Sequence, residues 1–129
     1  MKRWVWVWGP AVAQMAVIFG ASSIPNLGEL PGGISDKTGH FTGYAILGTV
    51  VVRALAGARW SGVTNRAAVA AMLVSSAYGA SDEFHQAFVP GRTPDVNDWL
   101  ADTSGAVAAV VVIRLAASVI ARWRRGREV

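Results

Sequence analysis

The sequence predicts an all-α, polytopic four-helix membrane bundle with short loops and both termini on the cytoplasmic side. Composition, span length and charge placement each predict it. Of the 129 residues 53% are hydrophobic and only 16% charged, against roughly 25% charged in soluble domains. Four stretches reach the length of about 20 mostly apolar residues needed to cross about 30 Å of hydrocarbon at 1.5 Å per residue. Basic and acidic residues fall at opposite ends of those stretches. The length suits one domain over 1–129, and no internal repeat is visible. Cysteine is absent, which excludes disulfide frameworks, thiolate nucleophiles and Cys-ligated zinc or iron–sulfur centres.

The first span is predicted over about residues 4–23. Lys2 and Arg3 precede an apolar run that ends at Gly20-Ala21-Ser22-Ser23, a pattern shared with secretory signal peptides. The run of about 18 residues exceeds the 7 to 15 of a signal-peptide core, which favours a retained span; cleavage would leave three spans. The second span, 36–57, has Ser35 as N-cap and Asp36 in its first turn. The third covers 66–84. Before the fourth, 96–122, Thr93-Pro94-Asp95 reads as cap, N1 proline and first-turn acid.

The connectors 24–35, 58–65 and 89–95 are rich in Gly, Pro, Ser and Asn, which form turns. Val89-Pro90-Gly91-Arg92 has the Pro-Gly order of a type II turn. Connectors this short make successive helices antiparallel neighbours. Trp4, Trp6, Trp8, Trp60 and Trp123 fall near helix ends on one side and Trp99 on the other, where indoles favour the membrane interface.

Orientation follows from the cytoplasmic preference of Lys and Arg. One side collects Lys2, Arg3, Arg53, Arg59, Arg66, Arg114, Arg122, Arg124, Arg125 and Arg127 against Glu128, ten against one, or +9. The other has Lys37 and Arg92 against Glu29, Asp36, Asp82, Glu83, Asp95, Asp98 and Asp102, two against seven, or −5. Arg53 and Arg114 lie about 17 to 18 residues, roughly 26 Å, from the outer ends of their helices and can snorkel to the inner interface. The overall charge of +4 would suit nucleic acid, but this segregation is the signature of membrane orientation, so the bilayer and not nucleic acid is the predicted partner.

Polar side chains gather at the outer ends. Asp36 and His40, Asp82 and Gln86, and Asp98 and Asp102 are each four residues apart, which places each pair on one helix face. The topology brings these, with Lys37, Glu83, His85, Arg92 and Asp95, toward one extracytoplasmic mouth. Asp36 and Asp95 can also be read as acids complementing helix N-termini. Asp102 and His40 lie deeper, where burial of charge is costly and points to function or an internal ion pair. Adjacent Asp82 and Glu83 point about 100° apart on a helix and need not face one site. If both do, repulsion and desolvation tune one toward acid–base work, unless Arg92 or Lys37 holds them ionised.

A hard metal is conceivable on His40, His85, Asp82, Glu83 and Asp98, but no HExxH spacing occurs, and neither a metal nor a cofactor is expected. Without a Gly-x-Ser-x-Gly elbow, Ser75, Ser76 and Ser81 are expected to hydrogen-bond along or between helices. Gly39-x-x-x-Gly43 and Ala101-x-x-x-Gly105-x-x-x-Ala109 permit close backbone approach. Gln14, Tyr44 and Tyr78 are expected to satisfy one another or a backbone carbonyl.

Three segments read together resemble the VanZ-like family of small bacterial membrane proteins: Asp36-Lys37-x-x-His40-x-x-x-Tyr44; Tyr78-x-x-x-Asp82-Glu83-x-x-Gln86 with Pro90-Gly91-Arg92; and Asp98-x-x-x-Asp102-x-x-Gly105. The resemblance covers 35–109. It implies a single VanZ-like transmembrane domain in the bacterial plasma membrane and, from the family's namesake, a link to low-level resistance to the lipoglycopeptide teicoplanin. Asp102 stands where the family frequently has Asn.

The leading functional expectation is an acidic outer pocket that binds, and in an enzymatic version modifies, an envelope amphiphile such as a lipid-linked glycan or lipoglycopeptide. In the enzymatic version Asp82 or Glu83 is general base, His40 acid or orienting group, and Arg92 neutralises a phosphate or carboxylate. Asp36, Lys37, Gln86, Asp98 and Asp102 complete the binding set. The alternatives are a structural or assembly protein whose polar cluster is an interhelical network and, ranked last, an ion or proton conductor.

Overall fold

The computed structural model describes residues 2–25, 33 and 35–127. It contains four α-helices: α1, Lys2–Ser22; α2, Asp36–Leu55; α3, Asn65–Gln86; and α4, Val96–Arg125. There is no strand among the described residues. Each helix coincides with a predicted span, extended or trimmed by a turn or less. Two of them, α1 and α4, are long and apolar enough to cross a membrane; α2 and α3 are less uniformly apolar. Most of the 24–35 connector, with Glu29, and the terminal Glu128 lie outside the described residues.

Capping explains most of the boundaries. Ser35 caps α2, its Oγ accepting from the Thr38 N–H at 3.3 Å. Thr64 caps α3 by accepting from Ala67 N–H at 3.1 Å. The N-cap of α4 is Asp95 and not the predicted Thr93: Asp95 Oδ1 accepts from the Asn97 N–H at 2.8 Å. A carboxylate one residue before the helix serves the open N–H groups directly, which leaves Thr93 and Pro94 in the connector. The 89–92 segment is the predicted turn, with Gly91 at φ +77° and Arg92 N–H donating to the Val89 carbonyl at 3.1 Å. A single 3₁₀ turn, Trp60–Gly62, lies in the α2–α3 connector.

Helix α2 sits at the centre, against α1, α3 and, most extensively, α4. Its buried face, Tyr44, Leu47 and Val51, follows helical spacing and meets Ala71 of α3 and Ala106 and Val110 of α4. The close approach of α4 depends on Gly105, as expected: a Cβ there would strike the Phe41 carbonyl oxygen and lie 3.0 Å from Phe41 Cα. On α2 the close approach is made at Gly48 and not at Gly43. Gly43 has open space where a Cβ would stand, whereas a Cβ on Gly48 would lie 2.9 Å from the Ala106 carbonyl oxygen. Helix phase decides this, because Gly39 and Gly43 border a cavity and Gly48 faces α4.

Several polar expectations resolve into particular bonds. Gln14 Nε2 donates to the Gly43 carbonyl at 3.0 Å, and Tyr78 OH donates to the Met15 carbonyl at 2.7 Å. Arg114 Nε reaches Asn65 Oδ1 at 2.6 Å. Ser76 bonds Thr103 across the α3–α4 contact at 2.9 Å, and Ser81 bonds the Tyr78 carbonyl at 2.7 Å. Trp4, Trp6, Trp60 and Trp123 are exposed, but Trp8 packs on the core. Trp99 turns inward onto α3 and donates to the Ser76 carbonyl at 3.0 Å.

Candidate functional site

The end of α1, the start of α2, the end of α3 and the start of α4 meet at the acidic end of the bundle. Two side chains of α2 do most of the joining. Lys37 Nζ bonds Asp98 Oδ1 at 2.7 Å and Asp95 Oδ2 at 3.2 Å. His40 Nδ1 lies 2.9 Å from Asp102 Oδ1, within hydrogen-bond distance. The other ring nitrogen of His40 faces Asp36 Oδ2 at 3.8 Å and Asp98 Oδ2 at 3.9 Å. Asp102 is fully buried. Its room comes from Gly79 of α3, where a Cβ would stand 3.1 Å from Asp102 Oδ2.

Asp82 and Glu83 are both buried and diverge as the helix phase requires. Glu83 Oε2 accepts the Asp95 N–H at 2.8 Å and so fastens α3 to the cap of α4. Asp82 points toward α1, where Ser22 Oγ donates to its Oδ2 at 2.8 Å. Gln86 stands between them, its Nε2 reaching Glu83 Oε1 at 3.3 Å and Asp82 Oδ2 at 3.4 Å. At the connector, the Asn97 backbone N–H and then the Lys37 ammonium hold the Asp95 carboxyl below the usual carboxylate range.

Beside this cluster lies a cavity of about 180 Å³. Val17, Ile18 and Ala21 of α1 make an apolar wall, and His40, Tyr44, Asp82 and Arg92 bring polar groups to it. Tyr44 OH, Asp82 Oδ1 and Arg92 Nε are buried and without a hydrogen-bond partner among the described residues. All three belong to residues of this cavity.

The structure therefore brings Asp36, Lys37, His40, Asp82, Glu83, Gln86, Asp98 and Asp102 into one connected group and sets Arg92 at the edge of the adjoining cavity. Of the two alternatives left open for Asp82 and Glu83, pairing with Lys37 or Arg92 does not occur among the described residues. Lys37 is spent on Asp95 and Asp98, and Arg92 has no ion pair among the described residues. His85 does not join the cluster: it stacks on Phe19 with ring centroids 4.4 Å apart and meets Ser23 Oγ at 3.0 Å. Three residues beyond Asp82, it faces the flank of α1. That removes it from the conceivable metal set. Among the described residues two groupings have ligand atoms within 4.8 Å of one another, Asp36 with His40 and Asp98, and His40 with Glu83 and Asp102. The Lys37 ammonium already occupies one oxygen of Asp98, and the His40 ring engages one oxygen of Asp102, so protein groups already serve these two carboxylates.

A family model, VanZ/LLP1, matches residues 8–117, a stretch that takes in the whole cluster and cavity. The chain belongs to the VanZ/LLP1 family. No curated protein and no solved structure matches it. Membership in this bacterial family and the two long apolar helices together point to a membrane. In this VanZ/LLP1 chain the sequence did not reveal the part played by α1. Ser22, which donates to Asp82 Oδ2, and Val17 and Ile18, which wall the cavity, stand in a run whose most legible property is hydrophobicity.

Proposed function

We propose that the chain is a four-span plasma-membrane protein with both termini in the cytoplasm, whose outward-facing cavity binds the anionic head of an envelope amphiphile. The inverted surface supports the membrane placement. Phe84, Phe88, Leu73, Val17 and Val112 are each at least 65% exposed while Asp82, Gln86, Asp98 and Asp102 are buried, the reverse of a water-soluble fold. Only 17% of the apolar window of α1, and of α4, is buried within the bundle, unlike the core helix of a soluble protein. Hydrogen bonds from Gln14, Ser22 and Tyr78 tie α1 to its neighbours, which supports a retained first span.

One observation carries the binding site: Arg92 Nε, Asp82 Oδ1 and Tyr44 OH are unpartnered among the described residues and belong to residues that line one cavity. A buried polar atom without a partner costs about 1–3 kcal/mol, and a bound phosphate with a protic neighbour answers all three. Arg92 supplies the anion contact, Tyr44 a hydroxyl donor and Asp82 an acceptor. The volume of about 180 Å³ is below the roughly 300 to 1,000 Å³ of drug-sized sites. It suits a phosphate or single-sugar head with its chain along Val17 and Ile18, and a complete lipoglycopeptide does not fit within it. Any effect on such a drug would then run through an envelope lipid.

In an enzymatic form of this reading, Asp82 is the base, because Glu83 is committed to Asp95 and Gln86. His40, oriented by Asp102, is the acid. The Lys37–Asp98 and His40–Asp102 pairs favour a second, structural role for part of the cluster, since each joins α2 to α4.

The test is binding of a polyprenyl phosphate to the purified chain, read by native mass spectrometry beside thermal unfolding. Arg92→Gln should weaken binding about tenfold or more, the loss of one charge-assisted contact, with the unfolding temperature unchanged. Turnover abolished in Asp82→Asn with binding retained would mark an enzyme. Equal binding by Arg92→Gln and the unaltered chain would remove the cavity from consideration.

A further inference from the structure

The opposite end of the bundle holds a second cleft of about 530 Å³ between the start of α3 and the end of α4. Its lining includes Arg66 of α3 and Arg114, Arg122 and Arg125 of α4. We propose that this cleft binds the phosphodiester headgroup of an anionic lipid in the leaflet away from the acidic cavity. The proposal rests on the bilayer-spanning reading given above, and concerns a different site.

The α4 arginines share a face, because positions 114, 122 and 125 fall within about 80° of one another at 100° per residue. None of the four has a carboxylate partner among the described residues, so an anion bound in the cleft would relieve their mutual repulsion. Arg114 is held in place by its Nε bond to Asn65 Oδ1 at 2.6 Å, and no other hydrogen bond of its guanidinium occurs among the described residues. The first turn of α3 adds donors. Thr64 satisfies the N–H groups of Ala67, through Oγ1, and Ala68, through its carbonyl. Among the described residues nothing engages the N–H of Asn65 or Arg66, and both stand at the positive end of the helix dipole.

Apolar surface argues for a lipid over a free anion. Val69 and Leu73, three and seven residues beyond Arg66 on the same face, are 55% and 66% exposed. On α4, Leu115 and Val119 border the arginine face and are also exposed. A headgroup held by the guanidiniums would lay its acyl chains along these side chains toward the bilayer middle. Trp60 and Trp123, exposed at the same end, mark headgroup depth.

The full chain in neutral detergent is titrated separately with dioleoylphosphatidylglycerol, dioleoylphosphatidylcholine and inorganic phosphate, with retained adducts read by native mass spectrometry. The glycerol lipid should be retained about tenfold over the choline lipid, as several basic contacts imply. Arg66→Gln/Arg122→Gln/Arg125→Gln should abolish that preference. Lys2→Gln/Arg3→Gln/Arg59→Gln, which removes the same charge outside the cleft, should keep it. No preference, equal loss in both triple variants, or retention of inorganic phosphate as strong as that of the lipid would overturn the proposal. Carbonate extraction separates the two readings: a chain released from membranes defeats the spanning reading, whereas a chain retained without lipid preference defeats the cleft alone.

Discussion

The guanidinium of Arg53, near the end of α2, donates to the backbone carbonyl of Trp6 in α1 at 3.2 Å and lies 5.3 Å from the Trp6 ring centroid. Pro10 stands four residues beyond Trp6 inside α1 and has no N–H, so the Trp6 carbonyl lacks its helical donor. Arg53 supplies that donor from the neighbouring helix. An arginine in an apolar run is thereby explained by a proline 43 positions earlier.

A double-mutant cycle tests this complementation. Arg53→Leu should lower stability in detergent by about 1 kcal/mol when Pro10 is present. In a Pro10→Ala background, where the helix satisfies its own carbonyl, the same change should cost clearly less. Additive effects in reversible unfolding would show that the two residues act independently.

Glycines at similar sequence spacing should respond in opposite ways. Gly105→Ala drives a methyl into the α2 backbone at Phe41, so a loss of about 1–3 kcal/mol or more is expected. Gly43→Ala meets no atom within 4 Å and should fold with unaltered or slightly raised stability, while narrowing the cavity. Thermal unfolding and polyprenyl phosphate binding distinguish the pair; equal destabilisation would contradict the packing described.

Asp95 makes stability depend on pH in a defined direction. Its carboxyl is held below the ordinary range by the Asn97 N–H and Lys37, so its contribution is fully present above the ordinary carboxylate pKa. The contribution is lost as pH falls through the lowered folded value. Asp95→Asn should keep the helix cap and lose the ion pair, unfolding earlier than the unaltered chain near neutrality. The two unfolding temperatures should converge under strongly acidic conditions. A difference that is constant with pH would exclude ionisation of Asp95 as its source.

Topology is accessible because the chain has no cysteine. Thr93→Cys, exposed beside the acidic cavity, should react with a membrane-impermeant maleimide in intact cells, and Trp60→Cys only after lysis. Labelling in the reverse order would place the arginine cleft outside and the cavity inside.

How far the sequence could be read depended on whether a feature is local. The four helices, the Ser35 cap and the Pro90-Gly91 turn arise within a few residues of chain, and their residues show it. The i, i+4 pairs at the acidic end likewise follow from helix pitch and antiparallel order. By contrast, His85 and Gln86 are adjacent, yet one meets Phe19 and the other bridges Asp82 and Glu83. Likewise Gly43 borders a cavity while Gly48 meets a backbone.

By itself, then, the sequence determined four helices, two of them long and apolar, the gathering of acids at one end of the bundle and arginines at the other, and the family pattern of polar residues. The tertiary structure decided which carboxylates are committed to partners, that Asp82, Tyr44 and Arg92, which line one cavity, each keep an atom unpartnered among the described residues, and that α1 supplies that cavity's wall. The physical reason is angular. Each residue turns a side chain by about 100° around its helix, so periodicity gives the angle between two side chains on one helix, but only the packed neighbours determine what lies in either direction.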